Sequence, residues 1–257
     1  MVITYDFLAK YGQLGNQMFQ YGLLVGVKHK LNCDIVIDTE VRNRSYLFNF
    51  FDLKEPIIRD FHTENLYNEI DFHFDSNVFE IKEDTNFRGY FQSEKYFKHC
   101  EDTIRNEFKF KSNISNRVDE FLKPYEDKKL VSVHIRRGDY LANPDAHPLC
   151  TIDYYNNAMD MLDGDDVLFI CTSDDIKWCE ENIKRKNIVY NYQDLAHDMC
   201  LISKCHDHIM ANSTFSWWGS WLSQNKNKKI IAPSIWFGSR YSHWNLSDLY
   251  CENFIKI

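Results

Sequence analysis

His134-Ile135-Arg136-Arg137-Gly138-Asp139 closes an apolar run, Leu130 to Ile135, that reads as a buried strand. Guanidinium groups emerging from a buried strand need anionic partners, because an unpaired buried charge is costly. A diphosphate would supply them, since arginine's forked donors match phosphate oxygens. An Arg137–Asp139 bridge that merely holds the loop is the structural alternative. The Arg137-Gly138-Asp139 triplet also spells an adhesion motif, but a strand end is a poor place to present a mobile ligand.

Three further clusters carry usable chemistry. Thr172-Ser173-Asp174-Asp175 ends a second apolar run and enters a helix. An N-cap needs one such side chain; the spare carboxylate can accept from guanine N–H groups or from ribose hydroxyls. Asn212-Ser213-Thr214-Phe215-Ser216-Trp217-Trp218-Gly219 opens another helix, where hydroxyls and backbone N–H groups form an anion site. Phe215 is suited to stack on a base, whereas Trp217, Trp218 and Trp221 read equally well as core. Gly12-Gln13-Leu14-Gly15-Asn16-Gln17 offers glycines for close backbone approach and amides for sugar hydroxyls. It lacks the third glycine and the ribose-binding acid of a dinucleotide fingerprint.

In an open parallel sheet, ligands gather at loops that leave the carboxyl ends of strands. The elements around these clusters fit such a sheet. Residues 2–9 read as a strand, followed by a helical stretch to about Leu31 with Phe19, Leu23 and Val27 on one face, then a strand over Cys33–Asp38. Residues 42–92 read as short strands and loops, and 94–108 and 114–125 as helices. From Leu130 the order becomes regular: strands at 130–135, 166–171, 187–191, 207–211 and 229–232, with helices at 151–162, 174–184, 194–204 and 214–224. Unbroken apolar runs such as Val167-Leu168-Phe169-Ile170 suit a parallel sheet covered on both faces. The expected organisation is α/β in two Rossmann-like halves, 1–125 and 126–257.

Composition narrows the function classes. A chain of 257 residues, 44% hydrophobic, can bury a core, and a net charge of −8 gives no bulk electrostatic case for nucleic acid. The eight cysteines form no Cys-x-x-Cys pair, which suits a reducing compartment. Cys200, Cys205, His206 and His208 come nearest to a metal cluster, but the two cysteines read as helix core. No window approaches about 20 continuous apolar residues, so no integral membrane segment is expected. Sequons occur at Asn43, Asn113, Asn212 and Asn245. A glycan on Asn212 would obstruct a motif, which favours a cytoplasmic home.

Taken in order, these clusters resemble the bacterial-type α-1,2-fucosyltransferases of glycosyltransferase family 11. The likeness continues through Gly89-Tyr90-Phe91-Gln92-Ser93-Glu94-Lys95-Tyr96-Phe97, Asp153-Tyr154-Tyr155 and Ile231-Ala232-Pro233 and is weakest over 42–86. It implies a GT-B fold, two Rossmann-like domains facing a central cleft, with an acceptor-side first half and a donor-binding second half. It implies GDP-fucose as donor, a galactose-terminated oligosaccharide as acceptor, inversion at the anomeric carbon, and no metal or other cofactor. Arg136 falls on the family's β-phosphate ligand, Asp175 on its guanine contact, and Thr214 and Ser216 on its phosphate-holding hydroxyls. His134, Arg137, Asp139, Ser173, Asn212, Ser213 and Phe215 complete the expected donor site. Asn16 matches an asparagine that reaches the reacting centre in protein O-fucosyltransferases; Gln17, Gln92 and Glu94 are the acceptor-side candidates. No general base stands out, and Glu94 and Asp6 qualify only as acids near first-half loops. A fucosyltransferase of other linkage or acceptor, or another GDP-sugar donor, is the nearest alternative. A non-catalytic sugar- or nucleotide-binding protein and a zinc hydrolase built on Cys200–His208 are the others.

Overall fold

A computed structural model describes residues 1–257. The chain divides into two α/β units, residues 1–111 with 244–251 and residues 112–243 with 252–257.

The first unit is built on a wholly parallel five-stranded sheet, ordered β3-β2-β1-β5-β4. Its strands are β1 (Val2–Thr4), β2 (Asp34–Ile37), β3 (Pro56–Ile58), β4 (Leu66–Asn68) and β5 (Thr85–Arg88). Between β1 and β2 runs α1 (Leu14–Leu31), which ends at left-handed Asn32 with a cationic last turn that suits the helix dipole. Burial extends round nearly the whole helix from Leu14 to Val27, a wider buried surface than the Phe19–Leu23–Val27 stripe suggests. The first strand is shorter than the sequence suggests because the chain turns after Thr4, with Ala9 left-handed. Residues 39–50 form two short helices, α2 (Thr39–Arg44) and α3 (Leu47–Phe50), where strands and loops are expected. The helix read over 94–108 is broken: two 3-10 turns precede α4 (Glu101–Glu107), because Phe97 leaves helical geometry at φ −137. Trp244–Cys251 returns to this unit, where Trp244 stacks on Phe72 at 4.7 Å and Asp248 accepts from Lys95 at 2.5 Å.

The second unit carries a wholly parallel six-stranded sheet, ordered β11-β10-β9-β6-β7-β8. Its strands are β6 (Lys129–Ile135), β7 (Val167–Ser173), β8 (Ile188–Tyr190), β9 (Asp207–Ile209), β10 (Ile230–Ala232) and β11 (Phe254–Lys256). Its helices are α5 (Ser112–Leu122), α6 (Ile152–Asp160), α7 (Ile176–Asn182), α8 (Leu195–Lys204) and α9 (Thr214–Leu222). Val131, Val133, Phe169 and Ile209 from the strands meet Tyr155 and Met159 of α6 in one apolar cluster. Helix α5, read from sequence as the end of the first half, belongs here. Lys204 of α8 holds it through Asp119 at 2.5 Å and Ser115 Oγ at 2.8 Å. The chain winds outward from β6 through β7 to β8, then returns past it to β9, β10 and β11. β6 therefore lies at the point where strand order reverses, the usual place for a ligand in an open α/β sheet. Its carboxyl end is the arginine motif.

All eight cysteines are free thiols, and only Cys150 is not fully buried. His206 Nδ1 accepts from Leu130 N at 3.0 Å and His208 Nδ1 meets Ser132 Oγ at 2.9 Å, so both rings serve the sheet. No helix is long and apolar enough to cross a membrane.

Candidate functional site

Flanked by β7 and β9, the end of β6 delivers two arginines into a ring of acids. Arg136 meets Asp139 at 2.5 Å and Asp174 at 2.9 Å; Arg137 Nε donates to Asp175 at 3.1 Å. Asp174 also accepts the Arg137 backbone N–H at 2.9 Å. The Arg137 guanidinium lies 3.6 Å from the centre of the Trp178 ring, a cation–π contact that helps hold it in place. Gly138 makes the approach possible, since a Cβ there would sit 2.4 Å from Asp174 Oδ2. The Arg137–Asp139 bridge considered from sequence is not formed; Asp139 serves Arg136 instead.

The Ser-Asp-Asp loop works differently from a helix cap. Asp175 occupies the N-cap of α7 without a side-chain capping bond, and its own N–H goes to Ser173 Oγ at 2.9 Å. Both carboxylates are thus turned to the arginines, and Asp174, passed over in the sequence reading, makes two of the contacts. The guanidiniums are only 19% and 15% exposed, whereas Asp139 is 59% exposed. A bound anion can therefore displace Asp139 while Asp174 stays as the bracket.

The helix-entry motif separates into parts. Ser213 caps α9, accepting from Phe215 N at 3.3 Å, and Phe215 lies 5.1 Å from the His134 ring. Asn212 is buried and its amide donates to the carbonyls of Pro148 and Trp236, both at 2.9 Å. It ties loops together in this conformation, and a glycan on it is incompatible with this fold. Ser216 is also buried, with its hydroxyl bonded to the carbonyls of Ala211 and Ser213 at 3.1 and 3.0 Å. As placed it secures the turn, leaving Thr214 as the half-buried hydroxyl at the helix start. Trp217 and Trp218 are fully buried core.

Burial, then the Arg136 charge, pushes His134 down to about 3, so the ring is neutral at ordinary pH. Its Nδ1 and the neighbouring Thr172 Oγ1, paired in register across β6 and β7, are buried without hydrogen-bond partners in the protein. Such groups are exceptions in folded proteins, and a bound ligand or water is one of the partners that can satisfy them. Tyr140 carries the loop onward: its hydroxyl donates to the Asn212 carbonyl at 3.0 Å and its ring stacks on His147 at 4.7 Å. At the same end of the sheet, beyond β8, Asp198 accepts from Asn191 at 2.5 Å, and burial lifts its carboxyl to about 8. No sequence signal marks Asp198, which reads as an ordinary helix acid. A cavity of about 730 Å³ in this unit, lined by Leu149, Tyr154, Met161, Ile235 and Ile257 among others, includes neither arginine. Its walls bear no cation, so it does not suit a diphosphate.

In the first unit, left-handed Gly12 (φ +81) makes room for Asn16, whose Nδ2 would lie 2.0 Å from a Cβ there. Asn16 Oδ1 accepts from Gln92 Nε2 at 2.9 Å. Gln17 points elsewhere: it is buried and accepts from Ser45 Oγ and Tyr46 N at 2.9 and 3.1 Å. Glu94 pairs with Lys98 at 3.1 Å, and Asp6 with Asn86 at 2.8 Å. The first unit therefore presents an amide pair, Asn16 with Gln92, rather than an evident base.

The profile of glycosyl transferase family 11 matches residues 5–257. The chain is 32% identical to an alpha-1,2-colitosyltransferase of Escherichia coli, over 88% of this chain and 90% of that protein. It is 26% identical to galactoside alpha-(1,2)-fucosyltransferase 2 of Rattus norvegicus, over 82% of this chain and 65% of the rat protein. Among solved structures it resembles the fucosyltransferase NodZ from Bradyrhizobium, with a TM-score of 0.56, 14% identity, and 85% and 90% of the two chains covered. The fold class is thus GT-B, with a parallel sheet in each unit.

Proposed function

The chain belongs to glycosyltransferase family 11, and on that premise we propose that it transfers L-fucose from GDP-fucose to the 2-hydroxyl of a terminal β-galactoside, with inversion and without a metal ion. The observation that carries this reading is the Arg136–Arg137 pair at the switch point of the second sheet, bracketed by Asp174 and Asp175. Breakage of the fucosyl–phosphate bond leaves the sugar oxocarbenium-like while negative charge grows on GDP. A guanidinium already held in place stabilises that charge without reorganising. Arg136 takes this role, with the start of α9 at Thr214 beside it. Arg137, held over the Trp178 ring, orients the diphosphate. The neutral imidazole of His134, with its partnerless Nδ1, offers an uncharged hydrogen-bonding group at the same strand end. In the first unit Asn16, steadied by Gln92, orients the attacking hydroxyl.

A second reading changes the donor sugar. Colitose is fucose without its 3-hydroxyl, and the alpha-1,2-colitosyltransferase relative aligns over most of the chain. Incubation with GDP-fucose, GDP-colitose and GDP-mannose against a panel of galactosides, followed by linkage analysis, separates the two. Product linked elsewhere than O2, or none with any GDP-sugar, defeats the proposal.

Two outcomes follow from the arginine site. Because fixed cations take the place of a divalent ion, full activity is expected in excess chelator; loss of activity restored by one metal would overturn the metal-free mechanism. Asp174→Asn keeps the shape but removes a charge that holds Arg136 and accepts from the Arg137 backbone. Steady-state rates should fall about tenfold, the loss typical of one charge-assisted hydrogen bond. An unchanged rate would mean that Asp174 does not position Arg136.

A further inference from the structure

Glu69 follows β4 and closes on the loop that leaves β5. Both its carboxylate oxygens accept backbone N–H groups, Tyr90 N at 2.6 Å and Phe91 N at 2.8 Å. Its own N–H donates to the Arg88 carbonyl at 2.8 Å. No lysine, arginine or histidine pairs with it, so these two amides are its main compensation.

The loop needs such a hold. Gly89 has φ +153 and Phe91 φ +51, a region that side-chain-bearing residues seldom adopt. A Cβ on Gly89 would fall 2.4 Å from Glu69 Cβ, so the carboxylate sits in space that only glycine leaves. The Gly89 carbonyl accepts from Tyr5 Oη at 2.6 Å and Gln20 Nε2 at 3.2 Å. Phe91 is buried against Tyr5, Phe87 and Tyr96. One residue later Gln92 reaches Asn16.

We propose that Glu69 is a positioning residue for the acceptor-side pair Asn16–Gln92, its carboxylate fixing the Tyr90–Phe91 turn from which Gln92 reaches Asn16. The consequence for catalysis rests on the transferase reading above; the geometry does not.

The ionised form is the one that holds the turn, because a neutral carboxyl must spend one oxygen on its own proton. Burial lifts the Glu69 carboxyl to about 7, opposed by the two amides, with Asp71 pushing the same way as burial. Tyr5 and Tyr96 face it, with Tyr90 on the loop itself; burial raises both Tyr5 and Tyr96 above their ordinary value. The turn therefore tightens as pH rises through 7. Stability moves the other way. A folded pKa above the unfolded value of about 4.3 means that this group's contribution shrinks as pH rises between the two. Local order and global stability thus have opposite pH slopes, which general loosening of the fold cannot mimic.

Hydrogen exchange of the 88–93 segment, corrected for intrinsic rate, reads the first slope. Wild-type protection should be about tenfold greater at pH 8 than at pH 6, as expected when one charge-assisted bond is gained, and Glu69→Gln should be low and flat. In kinetics, Glu69→Gln should raise the acceptor KM about tenfold and erase the acidic limb near pH 7, while GDP binding stays within about twofold. Glu69→Asp, too short to reach both amides, should fall between. Equal protection in wild type and Glu69→Gln, or an unchanged acceptor KM, would overturn the proposal. If Glu69→Gln does not fold, the wild-type pH series decides alone. Failure of the fucosyl-transfer reading would show as no transfer with any donor and would leave the exchange result standing.

Discussion

Arg136→Ala is expected to lower turnover from GDP-fucose by about a hundred- to a thousandfold, the loss seen when one donor to a developing oxyanion is removed. The guanidinium is held from two sides, by Asp139 at 2.5 Å and Asp174 at 2.9 Å, before any ligand arrives. Its removal leaves two carboxylates facing the diphosphate, so repulsion adds to the lost attraction. Arg136→Lys restores the charge but not the fork, and should recover only part of the rate. Folding should lose more than the ~0–1 kcal/mol of a surface pair. Arg136 and its second partner Asp174 are only 19% and 25% exposed, and the variant leaves Asp174 with the Arg137 backbone N–H alone. Initial rates of fucose transfer alongside melting temperature test this. Near-normal turnover in a folded Arg136→Ala protein removes Arg136 from the chemistry. Arg137→Ala should behave otherwise: with its ring contact to Trp178 and its side-chain bond to Asp175, this residue shapes the loop as well as meeting the ligand.

The parts of this site legible in sequence were those where chemistry contradicts burial. Two arginines at the end of an apolar strand have few structural uses, so their partners could be anticipated by charge. The identity of those partners could not. A Ser-Asp-Asp run before a helix looks like a cap, and cap preference hides Asp174, whose role depends on β7 lying beside β6. Gln17 and Ser216 show the opposite difficulty. Residue type and the family resemblance point to ligands there, and no sequence pattern announces that Ser45, Tyr46 and two backbone carbonyls engage the same polar atoms. Glu69 could not be found at all, since its partners are backbone amides with no signature in residue type. The regular second half was readable because apolar runs and helix periods alternate. In the first half, residues 39–50 and 94–108 gave way to short helices and 3-10 turns that tertiary packing decides. The return of Trp244–Cys251 to the first unit rests on single contacts such as Trp244 on Phe72, which no local pattern encodes.

Trp217→Ala is expected to cost about 3–5 kcal/mol of stability, the range for truncating a large buried aromatic side chain. The residue stands two positions after Phe215 in the same short helix, yet the two belong to different problems. Trp217 is fully buried and lies 5.0 Å from Trp218 and 6.2 Å from both Trp221 and Phe254. Gly219, two residues further along the helix, brings α9 so close to α8 that a Cβ would meet Ile202 Cγ2 at 2.6 Å. A cavity at Trp217 therefore opens under a helix whose fit tolerates little movement. Phe215, half-buried against His134, should show the converse: Phe215→Ala weakens GDP binding about tenfold or more if its ring stacks the base, with little change in melting. Denaturant midpoints and GDP titration on the two variants separate the effects. If Trp217→Ala unfolds with the wild type, the tryptophan is not core; if Phe215→Ala binds GDP normally, the base lies elsewhere along the strand ends, with Asp175 and Asp198 the next groups to examine. The two variants thus test whether the motif divides at Ser216, with Thr214 and Phe215 at the half-buried helix start and Trp217 and Trp218 in the core.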